Sequence, residues 1–208
     1  SRREVRGEGT VRVTRQRYSV MAYPEHYLHR PAERVNVKFK AIDANDKPVR
    51  TTGTVVVTKR RWKERAYVNE EVLTTKLDTD AAGEATLTFT PKTAGYYAVK
   101  WTSIDGDGRR ARDLVTVETT VWVADRNTSD IGYYHAGGLE LIVDKESMRA
   151  GETANVLVVT PASGRWVMLS ASADTILETR VIHLDGTVKL VQLPIDDRHT
   201  PDFFVTAS

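Results

Sequence analysis

Apolar and polar residues alternate along most of this chain. In "RVNVKFKAI" (34–42), Val35, Val37 and Phe39 fall on one side of an extended backbone while Asn36, Lys38 and Lys40 fall on the other. That period of two is the mark of a strand with one buried face. No segment of useful length sustains the i, i+3, i+4, i+7 spacing of an amphipathic helix. Strands rich in Val, Thr, Tyr, Phe and Trp are expected at Gly9–Arg15, Arg17–Ala22, Arg34–Ile42, Gly53–Trp62, Val72–Leu77, Ala85–Thr90, Gly95–Ile104 and Asp113–Val123. "DANDKP", "DTDAAGE", "PKTAG" and "DGDG" supply turns between them. The alternation lapses through "ADRNTSDIGYYHAGG" and resumes at Leu139–Val143, Thr153–Thr160, Trp166–Ser172, Thr175–His183, Thr187–Leu193 and Phe203–Ala207. Frequent turns in an antiparallel pattern predict an all-β chain of two tandem antiparallel β-sandwiches, immunoglobulin or fibronectin III-like. The expected units are 1–126 and 139–208, joined by a linker at 127–138. The first strand belongs either to the first unit or to a preceding one.

The chain also repeats itself. With Glu25 set against Asp144, Arg30 meets Arg149, Glu33 meets Glu152, Asn36 meets Asn155 and Val37 meets Val156, while Ala32 falls opposite Gly151. Each copy is a charged lead-in and turn followed by a strand: Val35, Val37 and Phe39 face a core in one, Ala154, Val156 and Val158 in the other. Each copy is thus the expected entrance to one sandwich.

Composition narrows the function classes. Lys plus Arg number 30 and Asp plus Glu 28, a formal charge of +2, so no global field gathers nucleic acid or an anionic membrane surface. The absence of cysteine excludes disulfides, thiolate metal sites and cysteine nucleophiles from this sequence. No run of about 18 apolar residues is present, so no membrane span is expected. The opening "SRREVRGEGTVRV" lacks the apolar stretch of a signal peptide and reads as the middle of a longer protein.

Candidate chemistry is sparse. "DGDG" at Asp105–Gly108 has calcium-loop character, but an EF-hand needs Glu at position 12, which is Thr116 here, so a hairpin turn is the expectation. Asp78, Asp80 and Glu84 are read as turn formers. His26 and His29 have no third ligand fixed by spacing, and no GxSxG nucleophile elbow exists, so neither a metal nor a catalytic site is expected, nor any cofactor. Trp101, Trp122 and Trp166 are expected in the core. The stretch "KRRWKER" stands out: Arg60, Arg61, Trp62 and Lys63 form a candidate partner contact, with a solvated edge strand as the plainer alternative. Gly132, Gly137 and Gly138 are hinge candidates.

A family resemblance emerges from the second copy in its surroundings. "LELIVDKESMRAGETANVLVVTP", then "WVMLSASADTILETRVIHLDG", then "VKLVQLPIDDRHTPDFFVTAS" resembles the bait-region domain of α2-macroglobulin-like proteins, the bacterial ones above all. Upstream, "RYSVMAYPEHYLHRPAERVNVKFKAIDANDKPV" with "DTDAAGEATLTFTPKTAGYYAVKWTSIDGDG" resembles the macroglobulin domain that precedes it. The sequence departs from the family pattern at Met148, Ala150, Ala173 and Asp174, and without cysteine it has no thioester motif. The resemblance implies a non-enzymatic scaffold: two macroglobulin-like sandwiches of a bacterial, envelope-located endopeptidase inhibitor that cages proteases after bait cleavage. Its implied partners are neighbouring macroglobulin domains and target proteases. Six strands between 139 and 208 suggest a second sandwich that is incomplete. The alternative is a cell-surface adhesin or polysaccharide-binding array, with Tyr96, Tyr133 and Tyr134 touching sugar.

Overall fold

The computed structural model describes residues 13–105, 113–132 and 138–208. Its strands form four sheets, which stack face to face. The first sheet is β1 (Tyr18–Pro24), β3 (Val35–Asp43) and β6 (Glu84–Phe89), in the order β1-β3-β6. The second has the order β2-β8-β7-β4-β5 and contains β2 (Leu28–His29), β4 (Thr52–Lys63), β5 (Ala66–Asp78), β7 (Gly95–Ile104) and β8 (Leu114–Val123). The third is β13-β10-β9, from β9 (Glu140–Val143), β10 (Thr153–Val159) and β13 (Val188–Pro194). The fourth is β12-β11-β14, from β11 (Arg165–Ser172), β12 (Ile176–Leu184) and β14 (Phe204–Ala207).

Alternation decides what each sheet buries. Val35, Val37, Phe39 and Leu87 of the first sheet meet Val55, Val57, Val99 and Trp101 of the second in one core. Ala154, Val156 and Val158 of the third meet Val167 and Leu169 of the fourth in another. Each pair of sheets is therefore a β-sandwich, and the chain is all-β as its patterning requires. Burying a Val or Phe fully is worth about 1.5–3 kcal/mol, so these apolar inner faces are the main source of cohesion. Gly53 sits under the Trp101 indole, where an added Cβ would lie 2.1 Å from a ring carbon, so the strand must be bare there.

Several details differ from the sequence reading. Residues 13–17 are not strand, and 9–12 of the strand expected at Gly9–Arg15 lie outside the described residues. β2 pairs with β8 in parallel, Leu28 opposite Trp122, a two-residue piece too short to show a period. β5 begins at Ala66, six residues before the expected start. The reversal from β4 to β5 uses Glu64 and Arg65 at φ +51 and +66, a left-handed pair with none of the Asn or Gly that normally announces it. β4 lies between β7 and β5 as far as Arg60, so Lys59 and Arg60 are not on an edge strand, whereas Arg61, Trp62 and Lys63 run past β7 and pair only with β5 among the described strands. Trp166 is 70% exposed, its ring 4.7 Å from that of His183, because even-numbered residues of β11 face outward.

The repeat is built alike in both copies. The Arg30 amide donates to the Glu33 carboxylate (2.7 Å) and the Glu33 amide to the Arg30 carbonyl (3.1 Å). The Arg149 amide donates to the Glu152 carboxylate (2.9 Å) and the Glu152 amide to the Arg149 carbonyl (3.1 Å). Accepting that backbone N–H is the largest cause holding the Glu152 carboxyl below the usual carboxylate range, with Lys145 next. Asn36 donates to the Glu25 carboxylate, and Asn155 to that of Asp144. Both turns need a left-handed residue: Ala32 at φ +66 and Gly151 at φ +91.

That pair generates a reciprocal expectation. A left-handed L-residue costs about 1–2 kcal/mol. Ala32→Gly should stabilise the chain by about 1 kcal/mol and Gly151→Ala, whose new methyl meets no atom within 4 Å, should cost a similar amount. Denaturant midpoints shifting in opposite directions at constant slope would check both.

Candidate functional site: the seam between the sandwiches

The outward faces of the second and third sheets meet in an apolar seam. Outward positions of β8 are even-numbered, so Trp122 leaves the first core and packs with Leu28, Ala124 and Ile131 against Ile142, Leu157, Val159, Val188 and Leu190. Tyr96, opposite Trp122 on β7, flanks this cluster with its ring 5.0 Å from the indole. Trp122 is 5% exposed and Leu157 fully buried. Alternation places Leu157 and Val159 on one face of β10 and Val156 and Val158 on the other, so the strand is apolar on both sides, as a central layer demands.

Polar contacts fix the register of this packing. Trp122 donates its amide to the Tyr27 carbonyl (2.7 Å), and Ala124 donates to that of His29 (2.9 Å). The two copies of the repeat also touch: Arg30 of the first turn donates through Nη2 to Asn155 Oδ1 of the second (2.9 Å), which Gln192 also engages (2.9 Å). The expected linker is tied to both sides. Ser129 accepts from the Val188 amide (3.0 Å), Asp130 from Thr187 Oγ1 (3.1 Å), and Gly132 from the Trp62 amide. A side chain at Gly186 would put its Cβ 2.0 Å from the Ser129 oxygen. Residues 125–132 are thus a docked strap, with Ile131 in the apolar cluster.

Of the hinge candidates, Gly132 adopts φ +64 and lies against Arg61, Gly138 adopts φ +105 with no atom near its Cβ position, and Gly137 lies outside the described residues. The basic stretch is divided by the pleat. Lys59 points inward, 6% exposed, its Nζ donating to Thr93 Oγ1 (2.7 Å); burial lowers its pKa first, then Arg61. Arg60 makes a fork-like pair with Glu118 (2.7 and 2.6 Å). Trp62 lies edge-on to Tyr67 at 5.1 Å. Arg61 and Lys63 are exposed, the latter 3.6 Å from Glu64. The structure therefore separates Arg60 and Trp62, held by internal partners, from Arg61 and Lys63 on the surface.

The His26 and His29 rings lie 6.1 Å apart, and among the described residues no group of three or more His, Asp or Glu is placed to hold an ion. His29, 2% exposed, donates Nε2–H to the His26 carbonyl (2.8 Å). Its Nδ1 is buried without a hydrogen-bond partner, 3.9 Å from the Glu33 carboxylate. His29 is one of the residues lining a cleft of ≈ 490 Å³ at the seam. Asp105 accepts from the backbone and side chain of Arg17 and donates its own amide to the Asp113 carbonyl, while the rest of the expected turn, Gly106 to Gly108, lies outside the described residues. Asp80 Oδ1 receives the amides of Ala82 and Glu84, which is turn formation. Sequence reasoning missed the seam itself; the doubly apolar pattern of "NVLVV" in β10 was the available signal.

Residues 139–208 match the family described as the alpha-2-macroglobulin bait region domain. No curated protein matches the chain. Among solved structures, native Escherichia coli alpha-2-macroglobulin is similar over 92% of this chain and 15% of its own, at 15% identity and TM-score 0.39. The trypsin-activated form of the E. coli protein is similar over 91% and 14%, at 17% identity and TM-score 0.40. The Bacillus subtilis sporulation control protein Spo0M is similar over 92% and 89%, at 12% identity and TM-score 0.33. The chain spans less than a sixth of the length of native E. coli alpha-2-macroglobulin, and the family match covers residues 139–208.

Two outcomes are expected of the seam. Trp122→Ala removes the side chain that bridges the clusters, should cost about 3–5 kcal/mol, and should split a single calorimetric transition into two. Burial, the largest cause, lowers the His29 pKa from 6.5, opposed by the His26 carbonyl and Glu33. The folded chain then binds fewer protons at this site than the unfolded one. Its contribution is full above pH ~6.5 and is lost as pH falls from there through the lowered folded value. His29→Leu should flatten that acid-side slope in stability measured against pH.

Proposed function

We propose, on the premise that residues 139–208 are an alpha-2-macroglobulin bait region domain, that this chain is a scaffold section of a bacterial endopeptidase inhibitor that traps proteases after its bait is cut. The family match is the observation that carries the reading; the apolar seam supports it. A trap needs packed rigid bodies that hold one arrangement until cleavage and then pass to another, and interfaces between packed cores are bistable in that way. Here each body is a sandwich with an apolar core, and the seam is the packing that sets their arrangement.

In this reading the chain performs no chemistry. Its partners are the neighbouring macroglobulin domains of the same protein and, through the whole assembly, the target protease, in the cell envelope. It takes no cofactor and binds no nucleic acid. The units run 1–126 and 139–208. Gly132, Gly137 and Gly138 absorb backbone change when the strap lifts, and exposed Arg61 and Lys63 meet an adjoining domain while Arg60 and Trp62 hold the hairpin in place. The sugar-binding alternative loses one of its three tyrosines: Tyr96 is committed to Trp122 at the seam, and Tyr133 and Tyr134 lie outside the described residues.

The test uses the full-length protein mixed with trypsin. One discrete cut is expected, leaving bound trypsin active on a small peptide substrate and shielded from a large protein inhibitor. Scattered cuts with no shielding would overturn the inhibitor reading.

A further inference from the structure

A second cleft, of ≈ 680 Å³, lies on the other side of the seam, where the end of β1 approaches β9. Four consecutive β9 residues, Glu140 to Val143, form one wall, and Tyr23, Tyr27 and Trp122 stand on the other. Tyr23 and Tyr27 are about half exposed, at 52% and 49%. The charges are of one sign: Glu25, Glu140, Asp144 and Glu146 line the cleft, and among its described lining residues no Lys or Arg occurs, His26 being the single basic side chain. The Glu25 carboxyl is held below its usual range, first by the Asn36 hydrogen bond, so it stays ionised near neutrality.

The wall is also a strand edge. Among the described residues β9 ends its sheet and pairs only with β10. The Asp144 amide donates to the Asn155 carbonyl. By antiparallel alternation, Ile142 opposite Leu157 and Glu140 opposite Val159 are the bonded pairs. Leu141 and Val143 therefore direct their N–H and C=O groups away from β10, and among the described residues nothing pairs with them. Unpaired edge groups are a template for another strand.

We infer that this cleft docks an extended segment of a separate polypeptide, with Lys or Arg at alternate positions, which adds to β9 as a fourth strand of its sheet. Its backbone bonds to Leu141 and Val143. Its cationic side chains reach the carboxylates of Glu25, Asp144 and Glu146 and lie on the tyrosine faces, where guanidinium and ammonium groups are attracted by the ring quadrupole. Alternation puts the intervening residues on the opposite face, toward Leu141 and Val143 of the second sandwich. The inference stands apart from the inhibitor reading, because it depends only on the cleft.

The test uses the 208-residue chain with two fluorescein-labelled hexapeptides, Arg-Val repeated three times and Glu-Val repeated three times. Polarisation should show the basic peptide binding at least about tenfold tighter, with affinity falling as salt rises from about 20 to 200 mM. Exchange of the Leu141 and Val143 amides should slow on binding while those of Glu140 and Ile142 do not change. Glu146→Lys should weaken the basic peptide about tenfold, the reversal of one charge in the cleft. An unchanged melting temperature would show that this variant folds. Equal binding of the two peptides, protection at another strand, or undiminished affinity in the variant would each overturn the proposal.

Discussion

Everything in this chain turns on one desolvated contact, the Trp122 indole with Leu28 and Ile131 against Leu157, Val159 and Val188. Without it there would be two sandwiches on a string. With it, the outward face of one sheet becomes an inner layer, β10 must be apolar on both sides, and the strap at 125–132 has a groove to lie in. The hydrophobic effect supplies the attraction but no direction. Direction comes from polar pairs around the rim: Arg30 on Asn155, Thr187 on Asp130, and the Val188 amide on the Ser129 carbonyl.

The repeated turn has a part in this geometry. Both sandwiches begin with the same device, a glutamate that captures the amide three residues before it while a left-handed residue reverses the chain. In the first copy the arginine of that turn extends across the seam to the asparagine that begins the core strand of the second. The same sequence element therefore starts each sandwich and helps orient one against the other. His29, buried beside it with an unpartnered Nδ1, makes this corner of the seam sensitive to acid.

Much of the fold was legible in the sequence because one-face burial enforces a period of two, and β3, β4 and β11 follow it. What escaped has physical causes. β2 is two residues long and gains its stability from tertiary packing on β8, so it has no local signature. The Glu64-Arg65 turn lacks the residues that relieve left-handed strain, so the sequence hides the hairpin. Trp166 reads as core by type, yet its parity on β11 turns it outward. The strap reads as a flexible linker because it is polar and glycine-containing; a single apolar residue, Ile131, marks its docking. Of the candidate contact residues, Arg60 was misleading because its partner Glu118 is 58 positions away.

The absence of native cysteine allows clean spin labelling of the central claim, that the two sandwiches sit in one fixed arrangement. Thr86 on β6 and Thr206 on β14 are exposed and lie in the two outermost sheets. With Thr86→Cys and Thr206→Cys labelled, the account predicts a single narrow distance distribution by pulsed electron-electron resonance, broadened when Trp122 is also replaced by alanine. A broad distribution in the chain with Trp122 intact would contradict it.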